Sequence, residues 1–171
     1  QTHRLIAAVH HMDKPVIAAV NGAASGLGCD LAFACDFVMA GSSASFSMAY
    51  LKRGLIPDGG GLYFLPRRVG IACAKELIFS ARTVESDEAK AIGLADRIVD
   101  DRRLLKDAVE WAQSLCLGPA SAVALSKSIM NRSVDLSLET VFALGSEAQS
   151  ICYASDEHHD AVTAFLDKSG R

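Results

Sequence analysis

Lys14-Pro-Val-Ile-Ala-Ala-Val-Asn-Gly-Ala-Ala-Ser-Gly-Leu-Gly-Cys-Asp-Leu-Ala-Phe-Ala-Cys35 is the stretch that decides how the remaining residues are read. Lys14–Val20 is short and apolar, with β-branched Val16, Ile17 and Val20, so it reads as a buried strand. Asn21-Gly22 breaks it with a turn dipeptide. Gly26 and Gly28 allow a sharp turn and a close approach of backbone to whatever lies above it. From about Gly28 to Cys35 the composition is that of a short buried helix. A strand, a glycine loop and a helix start in this order aim free N–H groups at one point, which makes an anion site.

Working outward, Phe37-Val-Met-Ala40 reads as a second strand and Ala44–Met48 as an alternating third. Tyr50–Arg53 is a connector, Gly54–Pro57 is extended, and Asp58-Gly-Gly-Gly61 opens a helix over residues 60–69. Ile71–Ser80 is a further helix. Ser86 is placed to cap a helix over 87–92 that Gly93 stops, and Ala95–Val99 is a brief strand. Beyond Asp100 the character changes to four helical segments, at 104–117, 120–132, 138–154 and 157–168. The expected organisation is therefore a strand-turn-helix region, 1–100, and a helical region, 101–171. Leu5–Val9 is already helical in composition when it meets the first strand, so the chain reads as cut into rather than begun.

A chain of 171 residues suits one domain with a real core. Half of it is hydrophobic and the mean hydropathy of +0.23 is high, which leaves apolar surface for a subunit interface. The formal charge of −3 and the lack of a basic block argue against nucleic acid. No apolar run approaches the ~20 residues of a membrane span, and no signal-peptide pattern opens the sequence. The five cysteines are scattered without a Cys-x-x-Cys pair, which fits reduced thiols in the cytoplasm better than disulfides or zinc.

Gly22-x-x-x-Gly26-x-Gly28 first invites a dinucleotide-binding dehydrogenase. That fold calls for a long βαβ unit and a Tyr-x-x-x-Lys pair, yet Tyr50, Tyr63 and Tyr153 are followed four places on by Gly54, Arg67 and Glu157. The alternative is an oxyanion hole, in which a backbone N–H at a helix start stabilises charge developing on a carbonyl oxygen by about 3–4 kcal/mol. The Leu27 N–H is the candidate donor, against a purely structural glycine turn. Asp58 is either an N-cap or a general base. Asp30 lies in an otherwise apolar helix, where an unpaired carboxylate would be costly. The adjacent pairs His10-His11 and His158-His159 diverge on a helix and read as solvated surface.

Lys14–Gly22, Gly26-Leu-Gly-Cys-Asp-Leu-Ala32 and Ala34-Cys-Asp-Phe-Val-Met-Ala40 resemble the enoyl-CoA hydratase/isomerase (crotonase) family. The likeness continues through Ala44-Ser-Phe46, Gly54-Leu-Ile-Pro57, Gly60-Gly61, Leu65-Pro-Arg67, Gly93-Leu94, Lys127 and Ala164-Phe-Leu166. The resemblance implies an α/β fold, a ββα spiral core followed by a helical trimerisation region, in homotrimers or dimers of trimers. It implies acyl-CoA thioester substrates, with coenzyme A arriving as part of the substrate and no separate cofactor or metal. It places one of two oxyanion donors on Leu27, a position where the family usually has glycine. The other falls in an N-terminal third of the fold that this sequence does not contain.

Hydratases resembling this chain use two glutamates. Their first position is Asp30 here and their second is Tyr50, which disfavours hydration. Asp58 matches the acid of several isomerase branches, and Ser47–Gly61 looks most like the ring-epoxide isomerases of phenylacetyl-CoA breakdown. Asp58 also matches the nucleophile of arylacyl-CoA dehalogenases. The expected activity is a double-bond isomerase with Asp58 as base and Asp30 as an assisting acid. Gly26, Tyr50, Pro57, Phe165 and Lys168 are the implied substrate contacts. A hydratase, a dehalogenase or a catalytically silent member, in which Asp58 only caps its helix, are the alternatives.

Overall fold

The computed structural model describes residues 1–168, which gather into two compact units. The first takes Gln1–His11 with Val16–Ala112, and the second takes Met12–Pro15 with the described residues from Gln113 onward. In the first unit α1 (Thr2–His10) precedes β1 (Ile17–Val20), β2 (Ala23–Ser25) and α2 (Leu27–Ala34). The pattern then repeats as β3 (Phe37–Gly41), β4 (Ser45–Ser47) and α3 (Gly61–Val69), with a 3-10 turn at Leu51–Arg53 between β4 and α3. There follow α4 (Ile71–Ser80), β5 (Thr83–Glu85), α5 (Ser86–Ile92), β6 (Arg97–Val99) and α6 (Leu104–Leu115).

Each ββα turn stacks on the one before. β3 lies parallel to β1, with Ile17 opposite Phe37, while β4 lies parallel to β2, with Ala23 opposite Ser45. One sheet therefore runs β1-β3-β6 and the other β2-β4-β5. A single turn would leave its strand edges unpaired, and the next turn supplies their partners. This is the ββα spiral expected from the sequence. Parallel strands covered on both faces read as unbroken apolar runs, and Val38, Met39 and Ala40 of β3 are accordingly buried. Phe46 of β4 stacks on Phe33 of α2 with ring centroids 6.0 Å apart. Both rings are buried, so Phe46→Ala would cost about 3–5 kcal/mol.

Three local readings change. The glycine loop is not one loop, because Ala23–Ser25 forms β2; a strand of three small residues has no apolar run to announce it. Thr83–Glu85 is likewise a strand, antiparallel to β4, whose pairing partner lies far away in sequence. Ser86 is the first helical residue and not a cap, and its hydroxyl donates to the Ser42 carbonyl at 2.9 Å instead. The cap position belongs to Glu85.

The second unit carries α7 (Ala120–Ser133), α8 (Leu138–Tyr153) and α9 (Asp156–Lys168). Pro119 precedes α7, and the Ser137 hydroxyl caps α8 by accepting from the Thr140 N–H at 3.2 Å. Glu157 reaches from α9 to the start of α7, where its carboxylate accepts from the Ala120 and Ser121 N–H groups at 3.2 and 3.1 Å and from the Ser121 hydroxyl. Lys127, buried on α7, donates from Nζ to the Lys14 carbonyl at 3.0 Å. No residue of α8 is buried, and Leu138, Phe142 and Ile151 are each more than half exposed.

Candidate active site

The first unit brings six of the singled-out residues to the start of α2. Gly26 occupies φ 54°, ψ −116°, a backbone region hostile to side chains. Its N–H donates to the Ser47 carbonyl at 2.9 Å, and its carbonyl accepts from the Asp30 N–H at 3.1 Å. The bend is thereby fixed from both sides. Leu27 follows as the first helical residue, and its N–H has no acceptor among the described residues. It is one of the orphan donors that every helix start leaves.

Asp30, one turn into α2, is wholly buried. Its Oδ2 accepts from the Tyr50 hydroxyl at 2.6 Å. Oδ1 has no hydrogen-bond partner of normal geometry among the described residues. The segment Gly59–Gly61 wraps this carboxyl: a Cβ on Gly61 would stand 2.5 Å from Oδ1, and one on Gly59 would collide with Oδ2. Burial pushes the Asp30 carboxyl above its ordinary value, and the nearby Asp58 charge adds to this; the Tyr50 hydroxyl and the Gly59 and Gly61 amides pull the other way. Tyr50 is raised as well, by burial first and then by its bond to Asp30. A phenol whose proton is committed to a carboxylate is a poor acid.

Asp58 is the exposed carboxylate of the site. The preceding Pro57 and following Gly59 are buried, so only the Asp58 side chain of these three stands out in solvent. It does not cap α3: the N-cap position is Gly60, at φ 110°, and no side chain caps this helix. Asp58 Oδ2 instead lies 3.6 Å from His3 Nε2 on α1. His3 was missed in the sequence. It stands 55 positions from Asp58 with no motif around it, so only the packing of α1 could reveal it. The Leu27 side chain borders the same turn, since a Cβ on Gly59 would meet Leu27 Cδ1 at 2.8 Å.

The other expected contacts sit differently. Pro57 is fully buried, packed so that a Cβ on Gly61 would come within 2.9 Å of its own Cβ; it shapes the loop from beneath. Phe165 is exposed on α9, in the second unit, and the Lys168 side chain lies outside the described residues. Cys29 donates to the Ala24 carbonyl at 3.0 Å, and burial pushes its thiol up to about 12, which keeps it inert as a nucleophile. His10 is half-buried against Phe64, ring centroids 5.0 Å apart, so it is less a surface residue than its pairing with His11 suggested. Among the described residues no three His, Cys, Asp or Glu side chains gather as a metal site, and no helix is long and apolar enough to cross a membrane.

A family model described as enoyl-CoA hydratase/isomerase matches residues 1–170. The chain belongs to this family. Among relatives of this hydratase/isomerase chain, the short-chain-enoyl-CoA hydratase of Clostridium acetobutylicum is 41% identical over 157 residues, covering 92% of this chain and 60% of the relative. The 1,2-epoxyphenylacetyl-CoA isomerase of Escherichia coli is 37% identical over 164 residues, 96% of this chain and 63% of the relative. The crystal structure of an enoyl-CoA hydratase/isomerase from Cupriavidus metallidurans superposes with a TM-score of 0.93 at 41% identity, covering 98% of this chain and 63% of that one. The ββα spiral is thus the crotonase fold. The chain spans about three fifths of the length of these relatives.

Proposed function

We propose that the protein is an acyl-CoA double-bond isomerase. The substrate thioester carbonyl accepts from the Leu27 N–H. The Asp58 carboxylate removes an α-proton from a 3-enoyl-CoA, giving a dienolate whose oxygen is held by that donor. Asp58 then returns the proton to the γ-carbon, leaving the conjugated 2-enoyl thioester. One carboxylate serves both steps because the proton moves along one face, and the charge balance closes without a further reactant. Gly26 sets the donor and Tyr50 lines the acyl side. The chemistry needs no group beyond the coenzyme A the substrate carries.

The observation that carries this reading is the contrast between the two acids. Asp58 is exposed, free of any capping duty and beside the turn that presents the Leu27 N–H. Asp30 is sealed and bonded to Tyr50, so of the two acids at this turn only Asp58 is open to solvent, where hydration would call for a pair to hold a water. Hydration is the second reading, favoured by the hydratase name of the Clostridium relative.

The deciding experiment gives the full-length protein a 3-enoyl-CoA and follows absorbance of the conjugated thioester, beside Asp58→Asn. Removal of a general base is expected to cost about 10²–10⁴ in turnover. Equal activity of both proteins would remove Asp58 from the chemistry. Loss of absorbance from a 2-enoyl-CoA, surviving in Asp58→Asn, would establish hydration instead.

The exposed apolar residues of α8 support assembly into homotrimers or dimers of trimers, tested by mass in solution. The five cysteines form no disulfide among the described residues, which suits the reducing cytoplasm as the protein's location.

A further inference from the structure

We infer that Asp30 is a positioning residue that acts through Asp58: its buried carboxylate, tied to the Tyr50 hydroxyl, is the template on which the turn behind Asp58 is moulded. This rests on the reading of Asp58 as base. A wholly buried carboxyl cannot touch a substrate, and Asp30 has no exposed surface. It does touch the backbone that holds Asp58. Gly59 and Gly61 approach its two oxygens so closely that neither position has room for a Cβ, and their amides face the carboxylate. The acid beneath them is thus among the groups that leave no room for a side chain at either position.

Tyr50 completes the arrangement. Its hydroxyl donates to Oδ2 at 2.6 Å, which fixes the carboxyl plane and hence the side on which Oδ1 meets the turn. Pro57 and Met48 close in from the other side, since a Cβ on Gly61 would also meet Met48 Cε at 2.5 Å and Pro57 Cβ at 2.9 Å. The turn is held between the Asp30 carboxyl and an apolar wall, and the next residue out is Asp58. Replacing Asp30 by Asn presents N–H donors to backbone N–H donors, which pushes the turn away without changing side-chain size. A displacement of this kind misplaces the base and leaves thioester binding untouched.

The test is a double-mutant cycle on the full-length protein with Asp30→Asn, Asp58→Asn and the pair, measuring kcat and KM for a 3-enoyl-CoA, with amide hydrogen exchange at Gly59–Gly61. Asp30→Asn is expected to lower kcat by about ten- to hundredfold with KM little changed. The same substitution should have no further effect in Asp58→Asn, and amide exchange at Gly59–Gly61 should accelerate. Tyr50→Phe, which keeps the carboxylate, should move kcat and exchange in the same direction and covers a failure of Asp30→Asn to fold. An equal fall in both backgrounds would make Asp30 an independent acid and overturn the inference, as would unchanged exchange. If the wild type shows no isomerase activity, the functional reading fails while the exchange measurement still decides whether Asp30 holds the turn.

Discussion

The Tyr50 hydroxyl donates to Asp30 Oδ2 across 2.6 Å, joining the residue before a 3-10 turn to the first turn of α2. Twenty residues separate them, and the bond leaves Asp30 sealed while Asp58 stays in solvent. One site thus holds two carboxylates in opposite environments, which is how a fold gives two acids different duties.

The buried carboxyl has an unusual pH signature. Asp30 is raised above its ordinary 3.8, chiefly by burial, so its favourable contribution is complete below that value and is lost as pH rises through the folded value. The unfolding free energy of wild type relative to Asp30→Asn should therefore fall as pH rises above about 4, with a slope of up to about 1.4 kcal/mol per pH unit. Denaturant unfolding of both proteins across this range reads it directly. A gap that widens with pH would show a carboxylate stabilised as the anion.

Gly26→Ala tests the bend before the candidate oxyanion donor. A Cβ there has room, 3.7 Å from the Tyr50 ring, so the cost is in the backbone at φ 54°. Destabilisation of about 1–3 kcal/mol is expected, together with lost turnover as the Leu27 N–H moves. The denaturation midpoint and kcat should fall together, and an unchanged midpoint would contradict the strain.

In the second unit, Glu157 should behave as an ordinary paired carboxylate. Its carboxyl is lowered by the Ser121 hydroxyl first and by the Ser121 and Ala120 amides, so its stabilisation is present above the normal carboxylate range and lost as pH falls. Glu157→Gln should lower the thermal midpoint at pH 7 and leave it nearly unchanged at pH 3. Equal losses at both values would assign the effect to packing.

His3 should matter little for stability. It and Asp58 are both largely exposed, 3.6 Å apart, and such pairs contribute about 0–1 kcal/mol. His3→Ala should leave the unfolding free energy within about 0.5 kcal/mol and change turnover by less than about fivefold. A larger kinetic loss would make His3 a working partner of the base.

The helices of this chain were legible because their signals are local. Ile71–Ser80 follows its apolar spacing to the residue, and Gly93 and Pro119 mark ends and starts through backbone chemistry alone. β2 and β5 were not legible: Ala23–Ser25 has no apolar run to announce it, and Thr83–Glu85 is a strand only through its pairing with the distant β4. Ser86 is not the cap because the helix begins at Ser86 itself, with Glu85 at the N-cap position, and the Ser86 hydroxyl donates to the Ser42 carbonyl 44 positions away.

By itself the sequence determined the strand, the glycine bend before Leu27 and the helix after it, because turn residues and composition are properties of neighbours along the chain; its resemblance to the crotonase family implied the spiral and which acids surround that bend. Only the tertiary structure decided that Asp30 is buried under Gly59–Gly61 and bonded to Tyr50, and that Asp58 stands exposed near His3 without capping α3. Burial and long-range hydrogen bonding depend on which surfaces meet, and the same aspartate side chain becomes a sealed template or an open base according to what folds over it.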